Sequence, residues 1–317
     1  AGQSGAERSG AGWPLVRPAV AAGGGERYQA LLQPALQAVR LTYTATFGTY
    51  RREQEVNRTL GDGWERLYAL EADPPEGGMR ALVFLHAASR RGLVAFRGTD
   101  LNRTGASGQA DFCAGRLLWE NASRATLPGF CAAFTDSQLD YLANARALAQ
   151  RAAGAMPEGT DLLLTGHSLG AGLAALVAGG WRHRRHGATG PEERHESWLF
   201  SEAVPQVFGL SAPAFNDALR RREHVDPASL PADRSVLIYN QFDPIGVEAR
   251  DRGGLVGATV CTFAPPEPEA CVECYSRRPF GGAACDRCFE QTHILSLYLK
   301  DLNGTATARP YEPLCPQ

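Results

Sequence analysis

One stretch constrains this chain more than any other: Asp161-Leu-Leu-Leu-Thr-Gly-His-Ser-Leu-Gly-Ala-Gly-Leu-Ala-Ala-Leu-Val-Ala-Gly-Gly180. Leu162 to Leu164 is an apolar run of strand length, and Ala171 to Ala178 is rich in helix formers with small faces. Between them, Gly166-His-Ser-Leu-Gly170 fits the pattern G-x-S-x-G. A strand that turns this sharply into a helix leaves its central serine in a strained backbone conformation. The adjoining strand and helix leave no room for a side chain two positions to either side. The amides of the following helix point to where negative charge would develop beside Ser168. A five-residue pattern recurs by chance in a chain with 35 glycines, so the flanking strand and helix carry the reading of Ser168 as a nucleophile.

The remaining elements follow from periodicity. Residues 1–25 are rich in Gly, Ala and Ser and read as a flexible tail. Residues 26–317 read as one domain. Tyr28, Leu31, Leu32, Leu36, Val39 and Leu41 recur at helical spacing within 26–50. Trp64 to Leu70, Arg80 to His86, and Leu93 to Phe96 read as strands, the last ending at Gly98 with Thr99 at its carboxyl end. Residues 101–126 are polar and glycine-rich, long for a connection, and predict a lid or binding loop. A helix is expected over 127–151, an exposed loop over 182–197, and strands over Gln206–Leu210 and Ser235–Tyr239. Strands alternating with helices predict an α/β fold: a mostly parallel central sheet with helices on both faces.

A serine hydroxyl needs a base, and the base needs an orienting carboxylate. Asp243 follows the strand Ser235–Tyr239 and precedes Pro244, which places its carboxylate at the same sheet edge as Ser168. Asp226 and Asp233 are alternatives in a polar linker. Of the seven histidines, His86 precedes the serine, His183, His186 and His195 lie in the charged loop, and His167 is expected to point elsewhere. His224 precedes Asp243, and only His293 follows it, at the start of an expected helix Ile294–Leu299. The order serine, acid, base makes His293 the base.

Phe96-Arg-Gly-Thr99, Pro128-Gly-Phe130, Gly166-His-Ser-Leu-Gly170, Ser211-Ala-Pro213, Asp243-Pro244 and His293 with Tyr298-Leu299 occur in this order over about residues 30–300. In this the chain resembles the fungal-type class 3 lipases, a family that includes plant phospholipase A1 enzymes and feruloyl esterases. The resemblance implies an α/β-hydrolase fold and a Ser168/Asp243/His293 triad. It implies an oxyanion hole from Thr99 and the Leu169 amide, and a lid over about residues 100–112. It implies hydrolysis of lipid carboxylic esters, triacylglycerols or polar acylglycerolipids, with transient contact at a lipid interface and no cofactor. Leu127 stands where family members often have a histidine, and Leu101-Asn-Arg-Thr-Gly-Ala-Ser-Gly108 lacks the apolar face of an interfacial lid. An esterase on non-lipid esters, or an acyltransferase with the same triad, is the nearer alternative; a non-catalytic binding or scaffold protein is the remote one.

Eight cysteines (Cys113, Cys131, Cys261, Cys271, Cys274, Cys285, Cys288, Cys315) accompany four N-x-[ST] sequons at Asn57, Asn102, Asn121 and Asn303. Together they predict a disulfide-bonded glycoprotein, secreted or in the endomembrane lumen. The chain opens at Ala1 without a leader-like stretch, as expected of a mature form. Cys271-x-x-Cys274 and Cys285-x-x-Cys288 lie in a cysteine-rich insertion over about 261–290. Disulfides are the preferred reading there and tetrahedral zinc the alternative. Cys113 with Cys131, and Cys261 with Cys315, are expected pairs. A net charge of −2 argues against nucleic acid as a partner. The longest apolar run, Leu162 to Trp181, is broken by Gly166, His167, Ser168 and Gly170, which argues against a membrane span.

Overall fold

The computed structural model describes residues 24–44, 59–72, 74, 77–102, 104–187, 205–227, 235–251, 254, 258–263, 265, 267–276 and 282–295. The tail expected over 1–25 falls outside them up to residue 23, as do Asn57, His195, Asp233, Asn303, Cys315 and the expected helix from residue 296 on.

Seven strands form one sheet: β1 (Trp64–Arg66), β2 (Ala81–His86), β3 (Arg91–Phe96), β4 (Asp161–His167), β5 (Gln206–Leu210), β6 (Ser235–Asn240) and β7 (Thr259–Phe263). They stand in chain order, β2 antiparallel to both neighbours and β3 through β7 parallel. Among the described residues the helices of eight residues or more are α1 (Gly24–Thr44), α2 (Ala106–Trp119), α3 (Tyr141–Ala155), α4 (Leu169–Gly187), α5 (Pro244–Asp251), α6 (Glu269–Ser276) and α7 (Ala283–Thr292).

The strand period of two sorts side chains into two apolar layers. Leu82, Phe84, Leu93, Leu163, Phe208 and Ile238 pack with Leu32, Leu36 and Val39 of α1. Val83, Val94, Leu164 and Val207 pack on the other face with Leu148 of α3 and Leu173, Leu176 and Val177 of α4. A strand covered on both faces has no polar side, which is why Leu162 to Leu164 reads as an unbroken apolar run. Because β3 to β7 are parallel, their carboxyl ends share one edge, and the chain leaves that edge at Arg97, Ser168, Ser211 and Gln241.

Several elements depart from expectation. The loop expected over 101–126 is helical through its middle, as α2, because Gly108, Ala110, Cys113, Ala114 and Leu118 bury one face; small residues mask an amphipathic helix in sequence. The helix expected over 127–151 is divided. A 3-10 turn (Gly129–Ala133) comes first, then a short helix (Asp136–Leu139) capped by Thr135, and then α3, capped by Asp140. Each cap oxygen satisfies amides that a continuous helix would have used itself. The first strand stops at Arg66, where a 3-10 turn (Tyr68–Leu70) follows. The loop expected over 182–197 begins as the last residues of α4, to Gly187. Strand β7 was not anticipated, although Thr259, Val260 and Thr262 are β-branched.

Candidate active site

Ser168 connects β4 to α4 with φ +54°, in the left-handed region that few non-glycine residues adopt. Its amide donates to Leu210 O at 2.9 Å, holding the turn against the neighbouring strand. The two flanking glycines are required by close backbone approach. A Cβ on Gly166 would lie 2.3 Å from the Gly170 carbonyl carbon, and one on Gly170 would lie 2.3 Å from Phe96 O of β3. The elbow read from sequence is present, with the collisions it implied.

Asp243 follows β6 and opens α5. Its Oδ1 accepts the Ile245 amide at 3.0 Å, and Pro244 occupies the first helical position. The carboxylate is thus a helix N-cap, held where the helix dipole favours its charge. His293 directly follows α7 and caps that helix's carboxyl end, and Leu295 just beyond it is helical again; its amide donates to Phe289 O at 2.9 Å. The His293 Nε2 atom is 2.9 Å from Ser168 Oγ, and Nδ1 is 3.0 Å from each Asp243 oxygen. Asp243 is 0% exposed and His293 3%, so their pairing is shielded from water. Asp226, the alternative acid, is exposed. His86 instead hydrogen-bonds Ser89.

Two contributors escaped the sequence reading. Ser211, the first residue after β5, is fully buried and touches both Asp243 and His293. His167, expected to point elsewhere, lies under His293. Its Nε2 donates to the His293 carbonyl at 2.7 Å, and the two rings lie 4.9 Å apart. A carbonyl accepts only, so Nε2 carries the proton and Nδ1 accepts from the Tyr43 hydroxyl of α1, at 3.1 Å. Burial, and then the nearby His293, push the His167 pKa down to about 3. The signal for these roles was only positional: His167 and Ser211 both sit at the sheet edge that carries Ser168.

The neutral His167 implies a pH dependence with a definite sign. Its folded-state pKa lies below the ordinary value of 6.5. Its contribution to stability is therefore complete above about pH 6.5 and is lost as pH falls toward 3, by up to about 1.4 kcal/mol per pH unit. We expect the stability advantage of the parent over His167→Gln to be largest near pH 7 and to shrink on acidification to pH 4, measured by urea unfolding. A pH-independent difference would refute the assignment.

The expected oxyanion donors are Thr99 and Leu169. Leu169 is the first residue of α4, so its amide is among those an α-helix leaves without an internal acceptor. Thr99 lies three residues past β3, where Phe96 pairs with Gly166. The loop carrying Thr99 is clamped. Asp111 of α2 accepts from Arg97 at 2.9 Å, from the Asp100 amide at 2.8 Å and from the Tyr141 hydroxyl at 2.6 Å. Burial holds the Asp111 carboxyl above its ordinary pKa, against the pull of Arg97. A Cβ on Gly108 would strike Asn102 O at 2.2 Å, so this loop and the start of α2 are in direct contact. Within the segment expected as a lid, residues 106–112 are the first two turns of α2, anchored to the body through Asp111.

Cys113–Cys131 fastens α2 to the 3-10 turn Gly129–Ala133. Cys271–Cys288 and Cys274–Cys285 staple α6 to α7. The zinc alternative needs four thiolates, and all four sulfurs are in disulfides. Cys261 is also disulfide-bonded. The Cys271 and Cys288 sulfurs lie 3.8 and 3.5 Å from Phe242 O, and Tyr275 donates to that same carbonyl. The stapled hairpin therefore abuts the residue before Asp243 and ends on His293, bracing both members of the pair. Of the sequons, Asn102 and Asn121 are exposed. Among the described residues no helix is long and apolar enough to cross a membrane.

No model of a known protein family matches the chain, and no curated protein matches it in sequence. Solved structures similar to it include a lipase from Rhizopus microsporus var. chinensis, at 13% identity over 81% of this chain and 82% of that one, with a TM-score of 0.39. A deletion-mutant form of the Rhizomucor miehei lipase propeptide complex is 14% identical over 78% and 69%, TM-score 0.40. Lipase II from Rhizopus niveus is 14% identical over 79% and 83%, TM-score 0.40.

Proposed function

We propose that this chain is a serine hydrolase that cleaves carboxylic esters of lipids through an acyl-enzyme intermediate. The observation that carries the proposal is the line Ser168 Oγ, His293 Nε2, His293 Nδ1, Asp243, with contacts of 2.9 Å and 3.0 Å, beginning on a strained strand-to-helix turn. His293 Nε2 takes the Ser168 proton as Oγ attacks the ester carbonyl. The amides of Thr99 and Leu169, with the Thr99 hydroxyl, hold the oxyanion. The imidazolium returns the proton to the leaving alcohol. Water then repeats the sequence on the acyl group, releasing the acid and restoring Ser168.

Leu101, two residues beyond Thr99, is 58% exposed, and exposed Phe130 packs against Phe112. Exposed apolar side chains on the segments that flank Thr99 and open the following helix favour an acyl chain over a charged substituent. The disulfides fit an oxidising compartment, secreted or lumenal, where the exposed sequons at Asn102 and Asn121 would be glycosylated.

The test is a panel of p-nitrophenyl acyl esters, tributyrin and phosphatidylcholine, with products identified by mass. Release of free acid, rising from acetyl to longer acyl chains, is expected. Acyl transfer to an added alcohol in preference to water would turn the assignment to an acyltransferase, and no turnover on any ester would reject it.

A further inference from the structure

We infer that Ser211 is a positioning residue of this site, its hydroxyl closing a ring of hydrogen bonds between the His293 imidazole and the Asp243 carboxylate. The inference rests on the reading of Ser168 as the nucleophile.

Ser211 is 0% exposed and stands directly after β5, between the strands that deliver Ser168 and Asp243. Its amide donates to Ile238 O at 2.8 Å, which fixes the backbone with φ +53°. That left-handed conformation suits glycine and is unfavourable for serine. What serine brings there is an oxygen 2.8 Å from His293 Nδ1 that is also hydrogen-bonded to Asp243 Oδ2.

The protons can be assigned. A carboxylate only accepts, so the single Ser211 proton goes to Oδ2. The lone pairs of Ser211 Oγ then face Nδ1, which must be protonated. That leaves Nε2 as the bare nitrogen facing the Ser168 hydroxyl, the tautomer a general base requires. The Nδ1 proton is shared among Ser211 and the two carboxylate oxygens, so the imidazole plane is held by three acceptors. Asp243 in turn keeps each oxygen bonded to a donor besides His293: the Ile245 amide on Oδ1 and Ser211 on Oδ2. When His293 becomes an imidazolium, its Nδ1 charge is met by the carboxylate directly and through the serine dipole. A hydroxyl that merely filled the core would have no such consequence for the base.

The test compares Ser211→Gly and Ser211→Ala with the parent. Glycine relieves the left-handed strain, so Ser211→Gly is expected to keep or raise Tm. Both variants are expected to lose about tenfold or more in kcat on a p-nitrophenyl ester with KM unchanged, the size expected for a hydrogen bond to a charged pair. The rate of fluorophosphonate labelling at Ser168 should fall by the same factor, since labelling reports activation of the hydroxyl whatever the natural substrate. A kcat within twofold of the parent in both variants would overturn the inference. So would a loss that appears only with a lowered Tm or a raised KM. If the parent itself shows neither labelling at Ser168 nor turnover, it is the hydrolase reading that fails, and the role of Ser211 with it.

Discussion

Ser168→Ala is expected to abolish ester hydrolysis, with kcat falling on the order of 10⁴- to 10⁶-fold. The alanine removes the atom proposed to form the covalent intermediate, while the elbow around it is unchanged. Backbone contacts of this residue run through its amide to Leu210 and its carbonyl to Ala171 and Gly172, and none uses the side chain. Tm should therefore stay close to that of the parent, separating loss of chemistry from loss of fold. His293→Ala added to Ser168→Ala should cost little more, because a base without a nucleophile has nothing to activate. Independent, multiplying losses in the double variant would show that the two side chains do not act as one unit. Retention of more than about a tenth of parent turnover in Ser168→Ala, a deficit under about 1.4 kcal/mol of barrier, would exclude Ser168 as the nucleophile.

Gly166→Ala is expected to have the largest effect on folding. The added Cβ would sit 2.3 Å from the Gly170 carbonyl carbon, 2.5 Å from Gly170 O and 2.6 Å from the Ala171 amide nitrogen. All three are backbone atoms of the first turn of α4, and no rotamer change can move them. Relief requires lifting α4 from β4, along a contact built from Leu164, Leu173, Leu176 and Val177. Overpacking of this kind costs about 3 kcal/mol or more, a large share of the stability of an ordinary domain. The readouts are soluble yield and Tm, with a drop of about 6 °C or more expected. Gly115→Ala in α2 is the control: its nearest neighbour atom is 3.9 Å away, so alanine there should be neutral or stabilising by about 0.5–1 kcal/mol. Equal tolerance of both substitutions would show that the elbow does not depend on a bare Cα at 166.

The middle of the sheet was largely legible because β2 to β6 are short runs rich in apolar residues. Gln206–Leu210 was read with its observed bounds, and Ala81–His86 and Asp161–His167 to within a few residues. What failed was the segment between β3 and α3. There Gly, Ala and Ser conceal α2, and the caps Thr135 and Asp140 divide a run of helical spacing. The hairpin that carries His293 was read as a stapled excursion, but its two helices and the pairing of its cysteines were not foreseen. Four cysteines in two C-x-x-C pairs admit several connectivities, and only the antiparallel stacking of α6 on α7 selects one.

By itself the sequence determined the setting of Ser168, since strand, elbow and helix are contiguous and their demands on Gly166 and Gly170 are local. It also determined the order in which a carboxylate and a histidine could follow. Only the tertiary structure decided what surrounds them. Ser211 reaches Asp243 across 32 positions, His167 reaches His293 across 126, and Asp111 joins Arg97 to Tyr141 from a helix the sequence hid. The first two contacts arise because five parallel strands end at one edge, and the third because two helices pack beside it, bringing residues far apart in the chain within a few ångströms. Periodicity reports which face of an element is buried; it carries no record of which strand ends become neighbours.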